Sequence, residues 1–261
     1  MRALKIAATG MTAQQMRVET ISQNLANMST TGYNARRAEF ADLHYQQYAR
    51  AGAVSASDGT VLPTGVQLGL GVRPAAVSVQ LEQGALSATR GDLDVAIDGK
   101  GYLEVTLPSG QPAYTRDGGL KRSAEGLIVT SDGFPVVPDI VIPQDARSIS
   151  INADGEVYAY FNDTVEAQLL GQFTLAGFTN AKGLEAMGSN LFLETEASGP
   201  AITSAPGQDG LGILRQGYLE DSSVDAVREI SELIEAQRGY ELNAKVISAA
   251  DQMMGATTQV R

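Results

Sequence analysis

The sequence predicts an α+β fold: long N- and C-terminal α-helices paired in a coiled-coil-like domain, an inserted all-β domain and an extended linker. Three observations predict it. The first is where the turn formers fall. Of 28 Gly and 9 Pro in 261 residues, 24 Gly and every Pro lie within 51–221, which leaves only Gly10, Gly32, Gly239 and Gly255 at the ends. The second is a heptad repeat of apolar residues in each end. The third is a series of short β-rich runs in the middle, separated by turn signals. An evenly built α/β protein would scatter its turns along the chain.

The N-terminal helix follows from its repeat. Leu4, Met11, Val18 and Leu25 form one register, and Ala7, Gln14, Ile21 and Met28 the other, with Gln14 the one polar member. That is an a/d pattern over four heptads, and at ~1.5 Å per residue such a helix is ~40 Å long. Ser29-Thr30-Thr31-Gly32 supplies its stop. Met1-Arg2-Ala3-Leu4-Lys5 has the basic start of an export signal, but Lys5 and Thr9-Gly10 break any apolar core. No cleavable signal is expected. No apolar run approaches the ~18 residues of a membrane span, so no membrane insertion is expected.

Residues 49–75 are Gly, Ala, Ser, Thr and Pro with few large side chains, and read as an extended linker marked by Pro63, Gly65, Gly69 and Gly71. The organisation expected is a helical core of 1–35 and 220–261, an extended or hairpin-like segment over 36–85, and a β-rich outer domain over 86–219. Within the last, strand signals fall at 94–97, 102–107, 126–130, 140–142, 148–151, 157–161, 172–175 and 190–194. Asp117-Gly118, Ser131-Asp132-Gly133 and Ala153-Asp154-Gly155 separate them, the pattern of a small sandwich or barrel. Gly99-Lys100-Gly101 lacks the third glycine and following helix of a dinucleotide site and reads as a hairpin.

The C-terminal helix is read with Ser222 or Ser223 as its cap and Asp225 and Glu229 in its first turns, where the helix dipole favours acids. Val227, Ile230, Leu233, Ile234, Tyr240, Ala244, Ile247 and Met254 form one stripe, interrupted by Gln237 and Asp251. The large apolar side chains of the two helices are too few to offset the entropy of ordering both ends. Copies of the same helices are the expected source of the missing surface.

Charge narrows the function classes. The net charge is −11, yet residues 1–50 carry +3, residues 91–219 carry −10 and residues 220–261 carry −4. A middle this acidic excludes wrapping of nucleic acid. With no Cys, disulfides, thiol catalysis and Cys-ligated zinc are ruled out. His44 is the one histidine and has no nucleophile elbow to serve. Asp92, Asp94 and Asp98 fail the EF-hand pattern, with Ala96 at its fifth position and Leu103 at its twelfth. No catalytic, cofactor-binding or metal residue is assigned, and the chain is not expected to be an enzyme.

Two stretches carry a resemblance. Ile21-Ser22-Gln23-Asn24-Leu25-Ala26-Asn27-Met28-Ser29-Thr30-Thr31-Gly32-Tyr33 resembles the N-terminal signature of bacterial flagellar rod and hook proteins. Gln237-Arg238-Gly239-Tyr240-Glu241-Leu242-Asn243-Ala244-Lys245-Val246-Ile247 is similar to the family's second signature. The motifs Leu93-Asp94-Val95-Ala96-Ile97-Asp98-Gly99, Tyr114-Thr115-Arg116-Asp117-Gly118 and Gly217-Tyr218-Leu219-Glu220 match its larger rod members, as do Pro63-Thr64-Gly65-Val66-Gln67-Leu68-Gly69-Leu70-Gly71-Val72. Gly239 stands where the family usually has Ala, Ser223 where Asn is usual, and Tyr102-Leu103 where two Phe are usual.

The resemblance implies a structural subunit of the distal rod, stacked helically into a hollow, torque-transmitting shaft whose inner tube is built from the terminal helices. It implies contacts with other copies, proximal rod proteins, the hook protein, the P-ring and L-ring bushing and the flagellar type III export apparatus. The implied location runs through the periplasm to the outer-membrane ring, reached without a cleavable signal. It places Leu4, Met11, Val18, Ile21, Asn24, Leu25, Asn27, Gly32, Val227, Ile230, Leu233, Ile234, Gln237, Arg238, Tyr240, Glu241, Ile247 and Met254 at assembly contacts. The alternatives are a proximal rod subunit, or an oligomeric β-domain protein that binds or cleaves glycan, which would need two carboxylates across a cleft.

Overall fold

The computed structural model describes residues 2–52, 63–162 and 166–259, the last four without their side chains. Part of the linker read at 49–75, residues 53–62, lies outside the described residues. The fold is α+β, with a helix near each end of the chain and strands between them. It divides into two compact units: Met1–Leu25, Arg36–Ser78 and Asp225–Arg261 form the first, and Ala26–Ala35 and Val79–Val224 the second.

The first unit holds both helices, α1 (Arg2–Ala26) and α2 (Ala226–Gln259). The cap of α2 is Asp225 rather than Ser222 or Ser223. Asp225 Oδ1 accepts from the amides of Val227 at 2.9 Å and Arg228 at 3.3 Å, donors that the first turn otherwise leaves orphaned. Ser223 instead accepts from the Ala35 amide. Two ribbons complete this unit. β1 (Arg36–Asp42) pairs with β4 (Val72–Val79), and β2 (Tyr45–Ala49) runs antiparallel to β3 (Val66–Gly69), with Tyr45 opposite Gly69. The described part of the linker is therefore largely strand.

The second unit is all β. Its strands are β5 (Leu86–Ala88), β6 (Val95–Asp98), β7 (Tyr102–Thr106), β8 (Pro112–Thr115), β9 (Lys121–Arg122), β10 (Ile128–Val129), β11 (Ala146–Ile151), β12 (Glu156–Phe161), β13 (Gln168–Gln172), β14 (Leu175–Gly177), β15 (Glu185–Gly188), β16 (Leu191–Leu193), β17 (Ile202–Ser204), β18 (Ile213–Gln216) and β19 (Tyr218–Glu220). The largest sheet runs β15-β16-β8-β7-β14-β17; β11-β12-β13 form a second, and β6 pairs β18 as β5 pairs β19. The run read at 172–175 is split between β13 and β14, and 140–142 forms only an isolated bridge, Val141 to Leu127.

The large sheet is covered on both faces at β7, which accounts for the burial of the adjacent residues Tyr102 and Leu103. Leu103 and Val105 enter the main core with Val95, Ile97, Ile128, Phe173 and Leu175. Tyr102 points the other way, into an aromatic cluster with Tyr114, Phe178 and Phe192, where Tyr114 and Phe178 meet edge to face at 4.8 Å. Gly99-Lys100-Gly101 is no hairpin. It connects β6 to β7, which belong to different sheets, because β6 pairs with β18 and β7 with β8 and β14.

Candidate assembly interface

In the first unit the side chains of α1 and α2 meet in antiparallel order. A Cβ on Gly10 would lie 2.9 Å from Asn243 Oδ1, and one on Gly239 would lie 3.1 Å from Gln14 Cδ. Each helix thus lays an amide side chain over a glycine of the other, and the glycine and amide are four residues apart on both. Asn243 Nδ2 also donates to the Gly239 carbonyl at 2.9 Å. Further along, Arg17 pairs with Glu232 at 3.4 Å and Glu235 at 3.5 Å, and Asn24 Nδ2 donates to Glu229 Oε1 at 3.1 Å. A step forward along α1 is matched by the same step back along α2.

This seam is small and polar. α1 buries Ala7, Ala13, Thr20, Ile21 and Asn24. On α2 the seven-residue repeat Glu229, Ala236, Asn243 and Ala250 faces inward, with Ala236 and Ala250 buried. The single apolar stripe read from the sequence does not form the seam. Leu233, Ile247 and Met254 are half-buried near it, whereas Val227, Ile230, Ile234 and Tyr240 are exposed, Val227 to 76%. Leu242, Val246 and Met253 are exposed as well. At Gly10 and Gly239 the space a side chain would take is filled by an amide of the other helix, and the bulkier side chains of α2 fall outside this seam. On α1, Ile21 is buried while Leu4, Met11, Val18 and Leu25 are half-buried.

Asn24 is engaged within the chain. Its Nδ2 donates to the Arg36 carbonyl, and its Oδ1 accepts from the Arg36 amide, each at 2.8 Å, as a paired strand would. It ties the end of α1 to the start of β1 and, through Glu229, to the first turns of α2. The other carboxylate oxygen, Glu229 Oε2, and Gln14 Oε1 are buried without a hydrogen-bond partner. Burial pushes the Glu229 carboxyl above its ordinary value, and Glu232 adds to this; the Asn24 bond and the Arg228 and Arg17 charges oppose it.

Gln237, Arg238 and Glu241 are exposed, and Arg238 is in none of the ion pairs among the described residues. Pro63 is exposed, and Gly65, Gly69 and Gly71 are half-buried beside the β2–β3 ribbon, which shows Tyr45, Tyr48, Val66 and Leu68 to solvent. In the second unit Asn27 shapes the turn after α1, its carbonyl accepting from Thr30 at 3.1 Å, and Gly32 is buried with φ +65°. Sequence reasoning missed Gly10, Arg17, Asn243 and Ala250. The equal Gly-to-amide spacing at 10 and 14 and at 239 and 243 was the available signal.

The acidic positions serve turns and strand ends: Asp94 accepts from Thr89 Oγ1 at 2.6 Å and Asp98 pairs with Arg215 at 2.7 Å. Among the described residues no group of three or more His, Asp or Glu converges as a metal set. His44 is exposed, and its carbonyl accepts from the Leu70 amide at 3.2 Å.

Three family descriptions match the chain. Residues 4–34 match "Flagella basal body rod protein", residues 96–159 "Flagellar hook protein FlgE/F/G D1 domain", and residues 215–260 "Flagellar basal body rod FlgEFG protein C-terminal". The chain is 54% identical over 261 residues to the flagellar basal-body rod protein FlgG of Caulobacter vibrioides, covering 100% of both chains. It is 45% identical to the FlgG of Borreliella burgdorferi, over 100% of this chain and 99% of the other. The FlgG of Bacillus subtilis is 36% identical, with 97% of each chain covered.

Proposed function

Since the chain belongs to the flagellar basal-body rod family, as a structural subunit of the rod, we propose that it polymerises helically into the hollow distal shaft. The shaft carries torque to the hook and encloses the export channel. The observation that carries this reading is the direction of the apolar side chains on α2. A lone helix pair would turn Val227, Ile230, Ile234, Leu242 and Met253 inward; here they face out, over a seam of glycines, alanines and amides. A face of that kind is completed by another protein surface, and in a rod subunit the surface at hand is a second copy. Residues 1–35 and 220–261 form the coiled-coil-like tube-building element, 36–85 the extended segment, and 86–219 the outer domain. The assembly contacts include Leu4, Met11, Val18, Ile230, Ile234, Gln237, Arg238, Tyr240, Glu241 and Met254, with Pro63, Gly65, Gly69 and Gly71 in the segment that laps a neighbour.

The partners are proximal rod proteins, the hook protein, the P-ring and L-ring bushing and the type III export apparatus, met in the periplasm and at the outer-membrane ring. The protein works without catalysis, and the full-length relatives named as flagellar rod proteins do not favour the glycan-acting alternative. The test is a double substitution, Ile230→Asp with Ile234→Asp. Both positions are exposed in the subunit, so the β domain should melt as in the wild type while polymerisation, followed by light scattering and electron microscopy, is lost. Polymers at the wild-type critical concentration would refute the reading.

A further inference from the structure

Four chain connections join the two units, at 25/26, 35/36, 78/79 and 224/225. On the side of the second unit, three of the segments that lead to them are tied to one another. The Gly32 amide donates to the Glu220 carbonyl at 2.8 Å, the Ser223 amide to the Tyr33 carbonyl at 3.0 Å, and the Gln80 amide to the Ala35 carbonyl at 2.8 Å. Ser223 Oγ accepts from the Ala35 amide at 2.9 Å, and the Asp221 amide donates to the Ala85 carbonyl at 2.8 Å.

At the centre of this knot lies a buried ion pair that joins two of the motifs read in the sequence. Arg116 donates through Nε at 2.9 Å and Nη2 at 2.7 Å to Glu220 Oε2. Two of its other hydrogens go to the carbonyls of Gly101, from Nη1 at 3.1 Å, and Gly99, from Nη2 at 3.0 Å. Glu220 Oε1 accepts from the Gly84 amide at 3.2 Å. The pair is 9% and 3% exposed, and Gly32 sits so close that a Cβ on it would lie 2.9 Å from the Arg116 carbonyl carbon and oxygen. A buried ion pair adds little net stability beside an apolar replacement, but it fixes geometry, since each partner is satisfied only in one arrangement.

We propose that Arg116 and Glu220 are positioning residues of a joint: they clamp the segments 32–35, 80–85 and 220–223 so that the chain passages leaving the β domain toward both helices hold one fixed arrangement under twist. The inference rests on the rod-subunit reading for its purpose. The clamp itself concerns the second unit alone.

The experiment has two parts. Amide exchange is measured on dilute full-length wild type, Glu220→Gln and Arg116→Lys. Each variant should speed exchange at Gly32, Gly84 and Ser223 by at least about tenfold, while Val105 and Leu175 in the core stay within about twofold. Exchange that rises evenly through the core, or stays unchanged at the three joint amides, overturns the clamp. Should Glu220→Gln fail to fold, Arg116→Lys, which keeps the charge and loses the fork, decides the same question. The variants are then placed in cells lacking their own rod subunit. Rods isolated in normal number together with reduced rotation under viscous load support a joint that carries twist. Normal rotation, or rods that never form, overturns that role. A wild-type chain that builds no rod there would refute the rod-subunit reading and leave the exchange result standing.

Discussion

At the scale of single residues, the seam is governed by atoms that lack what burial demands. Glu229 has one oxygen bound by Asn24 and one with no partner. Its carboxyl is raised above the unfolded value, so the folded chain takes up this proton first as pH falls. The helix pair therefore gains stability as pH drops from neutral through the raised value, until the unfolded carboxyl, at about 4.3, protonates too. Glu229→Gln keeps an acceptor for Asn24 and removes the charge. It should melt higher than wild type at pH 7, and the difference should shrink toward zero near pH ~4, as read by helix circular dichroism of the assembled chain. A constant difference across that range would mean the charge is irrelevant. Asn24 shows how far such a residue can be read beforehand. Its Asn-Leu-Ala-Asn context marked it as important, but its partner, the Arg36 backbone, follows only from the fold.

At the scale of elements, the two irregular glycines of α2 separate cleanly. A Cβ on Gly255 would meet nothing within 4 Å, so Gly255→Ala should stabilise the helix by about 0.5–1 kcal/mol through propensity alone. Gly239→Ala carries the same propensity gain but must move Gln14, whose Oε1 is already buried without a partner. It should gain less, and combining it with Gln14→Ala should reveal a coupling of about 0.5–3 kcal/mol in a double-mutant cycle of melting temperatures. Additive effects would show that the amide does not lie over the glycine. The elements themselves were legible to different degrees. The long helices, β6, β7 and β12 stood out, because heptads and β-rich runs between turn formers are local signals. β1 to β4 were legible only as an extended or hairpin-like segment, since Tyr45, Gln46 and Gln47 sit on a ribbon exposed on both faces and show no period. The seam is not legible in the sequence, because an apolar period does not separate contacts within one chain from contacts between copies, whereas the seam lays amides over Gly10 and Gly239 and buries Ala236 and Ala250. The Arg116–Glu220 pair spans 104 residues, and no spacing rule reaches that far.

For the whole molecule, charge sets the conditions of assembly. The net charge of −11 falls mainly on residues 91–219, so in the proposed polymer neighbouring copies would repel through their β domains while their helices would attract through apolar contact. Salt screens the first over ~8–10 Å and leaves the second nearly untouched. Raising sodium chloride from about 50 mM to about 500 mM should therefore lower the critical concentration for polymerisation, measured by light scattering. A rise would mean that ion pairs, not apolar faces, hold the copies together. The antiparallel order of the helices adds a last consequence. With Gly10 opposite Asn243, the start of α1 at Arg2 falls level with Asp251, yet α2 continues to Gln259. At the other end the helices are nearly level, for Asn24 meets Glu229 close to where α1 stops and α2 begins. One end of the pair is flush and the other is stepped by about 12 Å. Copies stacked in one sense, as proposed, would inherit that step, so the two ends of the filament would be chemically unlike. In the proposed polymer, adding a subunit at the stepped end and at the flush end would be different reactions, which would give growth a direction.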